Sequence, residues 1–265
     1  MNAQVEALKS LKQSGLYDLL TWSARAAFAR TNDLYEEEAG HDQGVVGYLN
    51  YKHLLDLMDR ATANGRFSLG EDVEGVATDV IQRGITPEAF RTMPALAPGT
   101  VKRSDYRDSP GWSSGSYRVL LQSFTLGKID GINWARRSEA KRVIASQKAS
   151  RDTPLFEAED FGLSSPVDLS YVEDFEGVTL VAAHAHDPVT GQYEMYIGQS
   201  KNPAYRGDSC WQWREEILSG GNPSGGTHLD LPSLLPGDAA TRAVDDIDVR
   251  IKTPNTGRRV GAADA

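Results

Sequence analysis

One cysteine, Cys210, stands in a chain of 265 residues. That scarcity excludes an intramolecular disulfide and any zinc centre built from several thiolates, and it fits a reducing cytosol. No run approaches the roughly 18 consecutive apolar residues of a membrane-spanning helix, so no membrane partner is expected. The opening MNAQVEALKSLKQSG lacks the apolar core and small-residue cleavage site of a secretory signal. A cytoplasmic location is the expectation. Also missing are a P-loop, a dinucleotide-binding glycine pattern, a Gly-x-Ser-x-Gly elbow and a zinc-protease helix, which leaves most cofactor-driven chemistry without support. Positive charge is outnumbered, 28 Lys and Arg against 37 Asp and Glu, for a net −9. This balance weighs against broad attachment to nucleic acid or anionic lipid, while leaving room for a local basic surface.

What is present is the composition of an ordinary globular protein, 40% apolar and 25% charged, long enough for one large domain or two small ones. The first third reads as helical. Leu16, Tyr17, Leu19, Leu20, Trp22, Ala26, Ala27 and Phe28 recur near the helical period, which predicts a helix from Gly15 to about Glu38. Val45, Val46, Tyr48, Leu49, Leu54, Leu55, Leu57 and Met58 predict a second, between Gly40 and Asn64-Gly65. Thr86-Pro87-Glu88 has the form of a helix start, with threonine as cap and proline in the first turn.

The organisation expected is therefore α+β: a helical region over 1–95, an irregular connection over 96–116, a mixed region over 117–253 and a tail over 254–265. Within the mixed region a strand is predicted over 117–126. An antiparallel hairpin is predicted within 178–199, its strands at 178–186 and 193–199 joined by Asp187-Pro188-Val189-Thr190-Gly191-Gln192. A linker or edge excursion is expected over 151–175, a short helix over 210–218, a flexible loop over 219–228 and a last strand over 247–251. The stretch 133–150 is predicted as a helix with a cationic surface: Arg136, Arg137, Lys141, Arg142 and Lys148, followed by Arg151, oppose only Glu139. Such clustering is either a solvated helix face or a contact for phosphate or a partner, the electrostatic footprint that DNA or RNA binding requires.

Tyr196-Ile197-Gly198-Gln199-Ser200-Lys201-Asn202, with Arg206 eight residues after the glycine, resembles the second half of the GIY-YIG nuclease signature over about thirty residues. The resemblance implies phosphodiester cleavage. Tyr196 would position or activate the attacking water, Arg206 would stabilise the phosphate in flight, and a later carboxylate would hold a divalent metal, Mg or Mn. Glu215, Glu216, Asp245 and Asp246 are the carboxylates that follow in the chain. Where the family places its first tyrosine this chain has His184-Ala185-His186, and an imidazole is a substitute for proton transfer.

His184 and His186, two apart on a strand, share one face and form a possible pair of metal ligands, to be completed by Asp187, His228 or Asp230; the alternative is a pair of ordinary strand histidines. His41-Asp42 reads as a helix cap, and Cys210 as a small buried thiol. The pairs Tyr48/Tyr51 and Trp211/Trp213 read as packing, with any exposed member able to stack on a base. Two functions follow as expectations. One is a nucleic-acid-acting protein, a divergent metal-dependent nuclease of bacterial defence or a mobile element. The other is a noncatalytic protein-protein interaction subunit of a larger bacterial complex.

Overall fold

Leu16, Leu19, Leu20, Ala24, Ala27 and Phe28 are fully buried along one face of α2, Leu16–Leu34, as the helical period requires. The computed structural model describes residues 2–63, 67, 81–146 and 175–221. α2 is preceded by α1, Ala3–Gln13, which the sequence reading passed over; Asn2 caps it by accepting from the Gln4 amide at 3.0 Å. Gly15, at φ 76°, separates the two helices in a left-handed conformation that favours glycine. α3 spans Gln43–Ala61, and the Asp42 carboxylate caps it through the Val45 amide at 2.9 Å, the role expected of the His41-Asp42 pair. Thr86 caps the short α4, Pro87–Arg91, with proline in its first turn.

The stretch 96–116 carries two strands, β1 (Lys102–Arg103) and β2 (Gly111–Ser114). They open a six-stranded sheet in the order β1-β2-β3-β4-β5-β6, completed by β3 (Tyr117–Ser123), β4 (Val178–Asp187), β5 (Gln192–Ser200) and β6 (Trp211–Gly220). β3 and β4 pair in parallel and every other neighbour is antiparallel. The α+β class and the hairpin are as expected, with β4 and β5 each reaching a residue beyond the predicted strands at the turn.

Two expectations are corrected. Residues 211–220 form a strand where a helix over 210–218 was expected. The β5–β6 register runs Met195↔Leu218 then Tyr196↔Glu216, and Gln199↔Trp213 then Ser200↔Trp211, so Ile217 and Gln212 are extra residues at two bulges. The bulges bring Trp211, Arg214, Glu216 and Ser219 to one face at spacings of three, two and three residues, so the strict alternation of a strand is lost. That broken alternation is why the strand does not show as one in sequence. The long basic helix is also replaced. A 3-10 turn, Trp134–Arg136, ends at Arg137 in extended conformation, and only the six residues of α5, Glu139–Ile144, are α-helical. Trp134, which opens the 3-10 turn, is 1% exposed and donates its indole N–H to Cys210 O at 2.8 Å. The linker up to 174, Asn64-Gly65, Lys148, Arg151, the loop beyond 221, His228, Asp230, Asp245, Asp246, the strand at 247–251 and the tail lie outside the described residues.

The sheet is covered on both faces. On one, Val119, Leu121, Leu180, Ala182, Met195 and Ile197 pack against α1–α3. On the other, Leu120, Val181, Ala183 and Trp211 pack against Ile129, Ile132, Trp134, Ala140 and Ile144 of the segment between β3 and β4. Each large aliphatic residue so enclosed contributes about 1.5–3 kcal/mol relative to exposure. No described helix is long and apolar enough to cross a membrane.

Candidate functional site

Period-two alternation decides which of the candidate residues meet. Tyr196 stands opposite Ala183, whereas His184 stands opposite Met195 and His186 opposite Tyr193. Directly paired residues share a face, so Tyr196 points to the side covered by α5 and the two histidines to the side covered by α1–α3. The sheet separates them. His184 and His186 are 1% and 4% exposed. His186 stacks on Phe28 at 5.0 Å, and Asn50 Nδ2 lies 3.4 Å from its Nδ1. Burial pulls both imidazoles down, His184 to about 3, assisted by the neighbouring His186, and His186 to about 4. They are neutral at neutral pH and sealed from any substrate on the Tyr196 face.

Around Tyr196 the neighbouring strands assemble a polar cluster. Phe124 packs edge-on to its ring at 6.1 Å, and the Arg214 guanidinium sits 5.2 Å from the ring centre. Arg214 reaches the face because it pairs with Gly198, two residues from Tyr196 along β5. Its fork bonds both oxygens of Asp130, Nε to Oδ1 at 3.2 Å and Nη2 to Oδ2 at 2.8 Å, and Ser209 donates to Oδ1 at 3.0 Å. The Arg214 bond, with that from Ser209, holds the Asp130 carboxyl below its usual range despite partial burial. Glu216 stands opposite Tyr196, and Glu194 precedes it by two residues on the same face. Burial first, then the charges of Glu194 and Glu216, raise the Tyr196 phenol. At neutral pH it is therefore a protonated hydrogen-bond donor.

Gly198, the glycine of the Tyr-Ile-Gly run, has a structural duty. A β-carbon there would lie 2.4 Å from Trp213 O and 2.8 Å from Trp211 Cε3, because β6 crosses at that point. Gly198→Ala is expected to lose about 1–3 kcal/mol of stability by overpacking. Urea unfolding checks this, and an unchanged midpoint would reject the close approach.

Arg206 lies in the exposed loop between β5 and β6. Lys201 N donates to Cys210 O at 3.0 Å, closing the loop at its base. Asn202 then ties it to the end of α5, its amide to Ala145 O at 2.9 Å and its side chain to Ser146 Oγ at 3.0 Å. The loop of Arg206 is thus fastened to the segment bearing Arg136, Arg137, Lys141 and Arg142. Arg136 and Arg142 are exposed, Arg137 half-buried, and Lys141 buried at 5% exposure. Glu139, the lone acid of that segment, is held by Arg107.

Of the described metal-ligand candidates, Glu216 joins Tyr196. Glu215 stands opposite Ile197 on the helix face and accepts from Gln4 Nε2 at 3.2 Å. Among the described residues no group of three or more His, Cys, Asp or Glu is placed to hold a metal ion. Cys210 is buried, and burial pushes its thiol up to about 11, which makes it a packing residue. Sequence reasoning missed Arg214, Glu194, Asp130 and Ser209. Arg214 was hidden by the helix expected over 210–218, and Asp130 lies 84 residues away from its partner with no motif to mark it. No family model, curated protein or solved structure matches the chain.

Proposed function

We propose that the chain binds nucleic acid on the side of the molecule that carries Tyr196 and the basic segment packed over its sheet face. The observation that supports this reading most is the fastening of the Arg206 loop to α5 through Asn202, which gathers Tyr196, Arg206 and the basic segment on one side of the sheet. Exposed guanidinium groups there attract phosphates, and the Tyr196 phenol donates to a phosphate oxygen without carrying charge. Asp130 holds Arg214 in place over the Tyr196 ring, so the cation at the centre is oriented before any ligand arrives.

Cleavage is the further form of the same reading, favoured by the two glutamates that flank Tyr196. A carboxylate of Glu194 or Glu216 takes a proton from the attacking water as its oxygen bonds to phosphorus. The bond to the leaving oxygen breaks, and the Tyr196 phenol returns a proton to that oxygen. Arg214, whose guanidinium sits at the Tyr196 ring, faces the charge that grows on the phosphoryl oxygens.

Fluorescence anisotropy with labelled single- and double-stranded DNA and RNA tests binding, and gel analysis of the same mixtures with Mg or Mn, then EDTA, tests cleavage. Binding is expected at low salt and is expected to weaken as salt rises. A triple Arg136→Gln, Arg142→Gln, Arg206→Gln variant is expected to reduce the log-log salt slope by about 2, at roughly 0.7 per lost single-strand phosphate contact. Arg91→Gln, on α4 away from this face, is expected to leave it unchanged. Absence of binding to every strand at low salt would overturn the proposal.

A further inference from the structure

Between β5 and β6 an exposed turn sets an aromatic ring next to a cation in the chain. Tyr205, 78% exposed, precedes Arg206 and is the most exposed of the large apolar side chains described. The turn that presents it is closed by two hydrogen bonds between Tyr205 and Asp208. Asp208 N donates to Tyr205 O at 3.1 Å, and Tyr205 N donates to Asp208 Oδ2 at 3.2 Å. The Lys201–Cys210 and Asn202–Ala145 bonds anchor both ends of the excursion. An aromatic ring left in water on a fastened turn gains nothing for folding, since burial is what makes such a ring stabilising.

Resting on the nucleic-acid reading above, we infer that the ligand is single-stranded and that Tyr205 is a platform on which one of its bases stacks. A ring can stack on a base only where the base is unpaired and splayed from its neighbours, as in a single strand or loop. Arg206, next to Tyr205 in the chain, Lys201 at the base of the turn and Arg142 on the segment that Asn202 ties to it supply the cations for the backbone that passes the stacked base. Two features disfavour a duplex. α5 is six residues, about 9 Å of helix, too short to lie along a major groove. The face also interleaves Asp130, Glu139, Glu194, Asp208 and Glu216 with its cations, an arrangement that repels the paired phosphate rows of a duplex more than a single flexible row.

The test is equilibrium anisotropy of the full chain with a labelled 12-nucleotide single strand, as DNA and as RNA, against the matching duplexes. The single strand is expected to bind at least tenfold more tightly than the duplex. Tyr205→Ala is expected to weaken single-strand binding roughly 5- to 100-fold, the range for one lost base stack, while leaving the salt slope unchanged. Tyr205→Phe keeps the ring and is expected to stay within about twofold of the parent. Equal affinity for duplex and single strand, or a Tyr205→Ala variant that binds the single strand like the parent, overturns this inference and leaves the nucleic-acid reading standing. No binding to any strand overturns both.

Discussion

Replacement of Trp112 by alanine is expected to remove about 3–5 kcal/mol of folding free energy, a large share of the 5–15 kcal/mol of an ordinary domain. Trp112 is fully buried on β2, within a stretch whose sequence shows mainly proline, glycine and serine. Its indole N–H donates to Asp59 Oδ1 of α3 at 3.1 Å. Arg103 of β1 holds both oxygens of the same carboxylate, at 2.6 and 2.7 Å, and lies 5.0 Å from the Trp112 ring. One side chain therefore closes the β1–β2 end of the sheet onto α3. Trp112→Phe separates the two contributions, since it keeps most of the ring and loses the N–H while Arg103 still holds Asp59. Its cost is expected near 1 kcal/mol for the bond, plus a smaller packing loss. Urea unfolding of both variants decides the matter, and an alanine variant that unfolds at the parent's midpoint would show that this end of the sheet is not anchored as described.

How far the chain could be read in advance depended on whether local pattern and tertiary role agreed. α2, α3 and α4 were legible because their apolar spacing and their caps, Asp42 and Thr86, point the same way. The hairpin was legible because alternation and a Pro-Gly turn coincide. α1 was not, since it buries only Ala7 and Leu11 and gives too thin a stripe to notice. β6 was misread because its bulges at Gln212 and Ile217 break the period of two that marks a strand. That one error concealed half the site. Tyr196 and Arg206 stood in the sequence as a pair, but the guanidinium over the Tyr196 ring is Arg214, which reaches it only when 211–220 is a strand. Asp130 and Ser209 follow from the same pairing, through contacts no local window contains.

The histidine pair shows the opposite failure, a pattern read correctly and a setting that could not be. Two apart on a strand, His184 and His186 do share a face, but α2 and α3 bury that face, and burial changes what the imidazoles can do. Their titration is expected to dominate stability in mild acid. Each is held neutral in the fold, pulled from 6.5 to about 3 and about 4, so the unfolded chain binds the protons first. Their contribution is complete above pH 6.5 and is lost as pH falls, at about 1.4 kcal/mol per unit for each, until the folded pKa is reached. At pH 5 the two together are expected to lower stability by roughly 4 kcal/mol relative to neutral pH. Asp187, beside His186, opposes this, its charge raising the His186 value against burial. Carboxylates elsewhere add their own acid dependence, so the comparison must be internal. Urea unfolding at pH 7 and pH 5 is measured for the parent and for His184→Leu, His186→Leu, and the double variant is expected to lose about 4 kcal/mol less between the two pH values. If the double variant does not fold, His184→Leu alone is expected to remove about half of the difference. Equal losses in parent and variants would mean that the imidazoles titrate freely in the fold, and then the face they share with α2 and α3 would have to be open to water.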